Sequence, residues 1–448
     1  MGFVLAGGTV VTRLDPPTIV SGDLVVEGGR IASIGGRPAP GAERVDCGGC
    51  LVIPGNVCAH HHLYSALARG MPYRLAPPTD FVQVLQRVWW RLDRALDRES
   101  VWLSAWAGGA DSLLSGTTTI VDHHASPNQI EGSLEQIADA LGRLGLRSAL
   151  CYEVSDRDGP ERAAAGIEEN RRHLATAGGL TRGMVGIHAS FTVSESTLAS
   201  CVDVARRFGA GIHIHVAEDA ADELDCEARF GKRVVQRLAE AGALGAGALL
   251  AHCVHVDEGE IATILESGAR VTHNPRSNMN NRVGRTPVLP LGDVVTLGTD
   301  GIDGDMFAES RTAFWRARED DPAVGPGWVL DRMAASSRLA GAVFGEPLLG
   351  RIEAGAPADL VVLEYDPPTP VTGDNLAGHW VFGLSARNVR DVVVSGEVLV
   401  RERRLTGQPE AELRARCRQS AELLWDRMEE VGPHPFHPFE PKGRMRCR

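Results

Sequence analysis

Histidine dominates the chemistry this chain could perform. Twelve of its fifteen histidines fall between residues 60 and 273, most of them just after short apolar runs. In His60-His61-His62 the outer two imidazoles share one face of a strand, because strand side chains alternate. His60 and His62 can therefore hold a common metal ion while His61 points away. His215 closes a later apolar run, and Asp300 closes another after Gly298-Thr299. Three neutral nitrogens and one carboxylate suit Zn(II), with Fe(II) as the alternative. His213 shares the face of His215 one layer deeper, where a structural role is expected. Asp122-His123-His124 ends a further run, and beside a site already holding one metal it is expected to hydrogen-bond the ligands or touch substrate. Of these, His124 is assigned to substrate. His188 is expected at the substrate as well, with core packing as its alternative. Arg69 and Arg276 are the guanidinium forks best suited to an anionic or carbonyl-bearing substrate, although a surface position is the commoner fate of Arg.

These residues need elements to position them. Eight short apolar runs begin at Leu51, Thr117, Ser148, Met184, Gly211, Ala248, Ala269 and Val294. Most are spaced roughly 30 residues apart with amphipathic stretches between, the count and spacing of a (β/α)8 barrel. A polar cluster follows nearly every run, and in such a barrel the C-terminal strand ends carry the chemistry. A doubly wound open sheet is the structural alternative, but it gives no reason for polar residues at every strand end. Strand-and-turn texture marks the first fifty residues and returns at Ala358–Glu364 and Val389–Val400. The expected organisation is a β-sandwich built from 1–52 plus 349–405, a barrel over 53–348, a helix over 406–431, and an extended or disordered tail over 432–448. The interval from His62 to the second strand is about twice the others. Its Pro-rich loop from Arg69 and the helix carrying Trp89-Trp90 are expected over the barrel mouth, the loop covering substrate and the tryptophans packing as core.

Composition sets the frame. The chain has 448 residues, 43% apolar and 23% charged, enough to bury a large core. No uncharged apolar run approaches the ~20 residues of a membrane-spanning helix. The first residues lack a secretory signal pattern, so the cytoplasm is the expected compartment. A net charge of −12 argues against nucleic acid as a partner. The nine cysteines are an odd, scattered set, and Cys47-Gly-Gly-Cys50 reads as a turn rather than a metal or redox site.

Several motifs then carry a resemblance: Pro54-Gly-Asn-Val-Cys-Ala-His-His-His62, His215-Val-Ala-Glu218, Ala251-His252-Cys, His273-Asn-Pro-Arg-Ser-Asn278 and Gly298-Thr-Asp300-Gly. In this order they resemble the amidohydrolase superfamily, in its cytosine deaminase-like aminohydrolase and chlorohydrolase branch. Stretches such as Leu63–Gly70, Trp89–Asp97 and Val121–Pro127 bring the chain nearest to the SsnA-type aminohydrolases within it. Dinuclear members of that superfamily bridge two metals with a carbamylated lysine from a middle strand. Only Lys232 and Lys442 occur here, one in the helix after His215 and one in the tail. The resemblance therefore implies one divalent metal per chain. It also implies that Asp300 takes a proton from water, that His252 hydrogen-bonds the nucleophile and steadies the oxyanion, and that Glu218 protonates the ring nitrogen. Asn278, with His273, would position its neighbours. The implied activity is deamination of a purine- or pyrimidine-like small molecule with release of ammonia. Ring dechlorination, cyclic-amide opening and a non-catalytic metal-binding barrel are the alternatives. Related enzymes often form homodimers, so a homo-oligomer is expected.

Overall fold

In the computed structural model of the chain, residues 2–36 and 40–438 are described. Eight parallel strands form the barrel: β1 (Asn56–His61), β2 (Thr117–His124), β3 (Arg147–Tyr152), β4 (Val185–Ala189), β5 (Ile212–Val216), β6 (Leu249–His252), β7 (Arg270–His273) and β8 (Val295–Leu297). Hydrogen-bonded ladders join β1 to β2 to β3, and β4 through β8 in sequence. Two bridges close the ring. Val154 pairs with Ile187 between β3 and β4, and His61 pairs with Asp300 between β1 and β8. At the second seam, Thr299 and Asp300 both donate from their backbone N–H to the His60 carbonyl, at 2.9 and 3.0 Å. The closure itself thus brings Asp300 beside the histidines of β1.

The helices between strands present apolar faces to the barrel. Ser133–Leu144, for example, buries Leu134, Ile137, Leu141 and Leu144, spaced as one helix face requires. Arg98–Leu114 starts at a capping box between Asp97 and Ser100, which satisfies backbone donors that the first turn leaves free.

The two chain ends share a seven-stranded sheet in which Leu360–Glu364 runs antiparallel to Cys50–Pro54. A four-stranded sheet of Arg30–Ile34, Leu24–Glu27, Phe3–Ala6 and Glu43–Asp46 faces it. Leu5, Val26, Val52, Leu360 and Val393 are buried between the two sheets. The run at Leu51, expected as the first barrel strand, therefore lies in the sandwich, and Asn56–His61 takes its place. The switch occurs at Gly55. Its N–H bonds the Asp359 carbonyl of the sandwich, and the next N–H bonds Gly116 of the barrel. A Cβ at Gly55 would sit 2.1 Å from Thr118 Oγ1, so only glycine permits so abrupt a crossing. The Cys47–Cys50 segment is a turn closed by Cys50 N–H to the Cys47 carbonyl at 2.9 Å, and the eight described cysteines are buried and free of disulfides.

The C-terminal helix Glu410–Glu430 packs Leu413, Leu424 and Met428 inward. Beyond it the chain is extended and tied down. Arg91 Nε donates to the Val431 carbonyl at 2.6 Å, and His434 N–H donates to Gln86 at 2.9 Å. Phe436 packs against a cluster that includes Phe81, Leu85, Trp90 and Phe191 at the barrel mouth. The expected tail is thus a docked strap up to Pro438; the rest of it, 439–448, lies outside the described residues. Among the described residues, no helix is long and apolar enough to cross a membrane.

Candidate metal centre and active site

The C-terminal ends of β1, β5, β6 and β8 converge on one point. His62 Nε2 lies 3.1 Å from His215 Nε2 and 3.0 Å from Asp300 Oδ1, and His60 Nε2 lies 3.6 Å from the same oxygen. The ring centroids of His60 and His215 are 5.0 Å apart. One donor atom from each of His60, His62 and His215 falls within 4.8 Å of the others, as does one from each of His60, His252 and Asp300.

The hydrogen bonds around these rings decide what they can hold. His62 Nδ1–H donates to the His123 carbonyl at 2.5 Å, and His215 Nδ1–H donates to the His188 carbonyl at 2.7 Å. Each neutral ring then turns an Nε2 lone pair toward the other. His60 Nδ1 is occupied by His213 Nε2 at 2.8 Å, while its buried Nε2 has no hydrogen-bond partner. Three inward lone pairs beside a carboxylate repel one another unless a positive charge lies among them, so the donor set fits a divalent cation. Burial disfavours a charge on His62, but the Asp300 carboxylate outweighs it and pushes the group up to about 9. Asp300 in turn keeps its charge: burial would raise it, yet His60 and His62 beside it hold it well below the usual carboxylate range. His213 props His60 from the layer beneath, and His61 points away to Thr299 Oγ1 at 2.9 Å.

Four non-glycine residues at these strand ends hold positive φ: Ala217 at 45°, His252 at 73°, Cys253 at 49° and Asp300 at 53°. Such strain persists only where the surroundings enforce it, and it aims His252 and Asp300 inward. His252 Nδ1 bonds Asn278 Oδ1 at 2.8 Å, Asn278 Nδ2 donates to Thr286 Oγ1 at 3.2 Å, and Thr286 donates to the His252 carbonyl at 2.7 Å. The circuit makes Nδ1 the protonated nitrogen and leaves His252 Nε2 buried and unpartnered, 3.6 Å from Glu218 Oε2 and 3.8 Å from Asp300 Oδ2. Burial, and then the Asp300 charge, raise Glu218 well above an ordinary carboxyl.

These groups open into a narrow pocket. His62, His215, Glu218 and Asp300 form its floor, with Glu153 and His188 on one side and Tyr64, Phe81, Leu85, Trp89 and Trp90 as an apolar wall. The long excursion after β1 thus contributes its helix and both tryptophans, not the Pro-rich loop, to the pocket.

Three expected substrate contacts lie elsewhere. Arg69 follows a 3-10 helix, Leu63–Ala68, to an exposed position, where it pairs with Asp111 at 2.8 Å. Arg276 commits its whole fork to Asp303, at 2.7 Å, and Glu309. His124 bonds Ser126 Oγ at 2.8 Å behind Tyr64, because strand alternation turns His123 toward the site instead. The His123 ring lies 4.7 Å from that of His215. Asp122 is buried and accepts the Leu63 N–H at 2.7 Å. Ser277, which donates to Asp300 Oδ2, and Asn281, one turn later and 3.5 Å from Glu218, lie on a short helix after β7. Neither was marked by a spacing rule. Glu153 was missed as well, although its position one residue past the run ending at Tyr152 could have marked it.

The sequence profile of the amidohydrolase family matches residues 51–399. The chain belongs to the amidohydrolase family. This amidohydrolase is 31% identical over 423 residues to a 5-methylthioadenosine/S-adenosylhomocysteine deaminase of Desulforudis audaxviator, covering 90% of this chain and 95% of the relative. It is 29% identical over 440 residues to a 5'-deoxyadenosine deaminase of Methanosarcina mazei, covering 95% and 99%. Its fold is that of an adenosine deaminase from Xanthomonas campestris solved with bound zinc, with TM-score 0.82, 24% identity, and 96% and 99% of the chains covered. An atrazine chlorohydrolase of Arthrobacter aurescens, also solved with zinc, aligns with TM-score 0.79 and 21% identity over 94% and 100%.

Proposed function

We propose that this amidohydrolase is a mononuclear, zinc-dependent cytoplasmic deaminase of an N-heterocycle of purine or pyrimidine type, releasing ammonia. The observation that carries the reading is the convergence of the His60, His62 and His215 nitrogens with Asp300, next to a buried, raised Glu218. Curated relatives along nearly the whole chain that deaminate adenosine derivatives support the choice of reaction.

His60, His62, His215 and Asp300 would hold the cation, which when bound supplies the Lewis acidity that makes water a competent nucleophile near neutral pH. Every remaining role falls to the chain's own groups. Asp300 Oδ2, kept in place by the Ser277 hydroxyl, takes a proton from the attacking water. His252 Nε2 accepts a hydrogen bond from that water and orients it. Its Nδ1 proton stays with Asn278, so Nε2 remains an acceptor and keeps the attacking oxygen aligned as the tetrahedral carbon forms. Glu218 enters protonated and gives its proton to the ring nitrogen beside the attacked carbon. The proton that Asp300 took from water then passes to Glu218 and on to the departing amine, and the hydroxyl proton released as the carbonyl forms restores the acid form of Glu218. The aromatic wall excludes water and stacks the ring. A second cation beside the first is disfavoured, because Glu153, the carboxylate it would need, is already paired with Arg157 at 2.9 Å.

The test is ammonia release from a panel of purines, pyrimidines and their nucleosides, with Glu218→Gln alongside. The variant should keep its metal and lose at least roughly 10²-fold of turnover, as removal of a general acid does. Near-normal turnover would remove Glu218 from its role.

A further inference from the structure

Outside the hydrolytic groups, the pocket carries a second set of polar atoms. Glu153 follows β3, and its buried carboxylate lines the pocket. Arg157 Nη1 donates to Oε1 at 2.9 Å, and the same guanidinium reaches Asp93 and, at 3.2 Å, Asp158. Asp158 in turn meets His434 of the C-terminal strap at 3.3 Å. His123 Nδ1 lies 3.3 Å from Glu153 Oε2. With the Arg157 guanidinium bonded to it, Glu153 is a carboxylate that can only accept.

Its neighbour His188 is fixed as an acceptor too. Thr192 Oγ1 donates to the Ala189 carbonyl at 3.1 Å and so accepts from His188 Nδ1–H at 2.8 Å. That leaves a lone pair on His188 Nε2, 3.9 Å from Glu153 Oε1, with both atoms lining the pocket. Glu153 Oε1 is met by Arg157, but among the described residues no donor reaches His188 Nε2, so a ligand that brings one donor to this nitrogen and a second to the neighbouring carboxylate completes the pair.

We propose that Glu153 and His188 form a specificity subsite for a substrate bearing two adjacent hydrogen-bond donors, with Arg157 and Thr192 as the residues that position it. The proposal rests on the deaminase reading for the pocket's orientation. Adjacent donors have two sources: a ring edge with an N–H next to an amino group, or the vicinal diol of a ribose. An edge of ring acceptors alone would leave the subsite unpaired, a mismatch that binding sites of this kind reject strongly.

The experiment measures calorimetric binding to zinc-loaded Glu218→Gln and to the same protein carrying Glu153→Gln. The probes are guanine for the ring donors, adenosine for the diol, and adenine and 2',3'-dideoxyadenosine as counterparts lacking one or the other. Tighter binding of guanine than of adenine assigns the ring source; tighter binding of adenosine than of its dideoxy counterpart assigns the diol. Either preference, at tenfold or more and erased by Glu153→Gln with metal content unchanged, is the expected result. Thr192→Val provides the second arm, since it frees the His188 tautomer without touching Glu153, and should cut the same preference several-fold. Equal binding of donor-bearing and donor-lacking probes, or a uniform loss in both variants, overturns the subsite. If the preference appears but no probe yields ammonia with the unsubstituted enzyme, the subsite stands and the deaminase reading fails.

Discussion

At the scale of residues, the site works through tautomers. Backbone carbonyls at His123 and His188 take the Nδ1 protons of His62 and His215, and Asn278 takes that of His252, so every Nε2 turns inward as a lone pair. Glu218 is the complement, a carboxyl whose protonated form is favoured by burial and by the Asp300 charge. A pH dependence follows with a definite sign. Its pKa is raised and its acid form is the one required, so turnover is full below that pKa and falls as pH rises through it. A rate–pH profile of the metal-loaded enzyme should show this descending alkaline limb, and Glu218→Gln should lack it. A limb unchanged in the variant would assign it to another group. His60, His62, His215 and Asp300 were legible because strand alternation and strand-end position are properties of the local chain. The fates of Arg69 and Arg276 were not. Each guanidinium found a carboxylate, Asp111 and Glu309, that lies far off in sequence, and no spacing rule anticipates a long-range ion pair.

At the scale of elements, the strand ends must be pinned in place, and Asp222 does much of this. Its two carboxylate oxygens accept the Ala217 N–H after β5, at 2.9 Å, and the Phe191 N–H after β4, at 3.0 Å. Asp222→Asn replaces one acceptor by a donor facing an N–H and leaves a buried backbone group unpaired. Urea unfolding should show a loss of about 1–3 kcal/mol. A loss under 0.5 kcal/mol would mean that the two loops hold themselves. The barrel strands were readable from period and punctuation. The assignment of Leu51–Pro54 was not, since an apolar run looks alike whether its partner is a barrel strand or Leu360–Glu364, more than three hundred residues later. The strap was missed for a similar reason. His434 and Phe436 have little local pattern, and their order comes from Trp90, Gln86 and Asp158.

At the scale of the molecule, barrel and sandwich are joined through a buried ion pair. Arg147 on β3 reaches Asp359 with Nε at 2.9 Å and Nη2 at 3.1 Å, and Asp359 also accepts the Ser395 N–H at 2.7 Å. Arg147→Ala strands that carboxylate between the two bodies and should cost about 3–5 kcal/mol in chemical unfolding, because a buried charge loses its partner. A neutral result would mean that water or Ser395 suffices.

The central claim is a single cation gripped by β1, β5 and β8, and metal analysis of protein purified without added metal tests it most directly. The account predicts about one equivalent of zinc or iron per chain, falling to near zero in His62→Ala. Two equivalents, or one that survives the loss of His62, would contradict it.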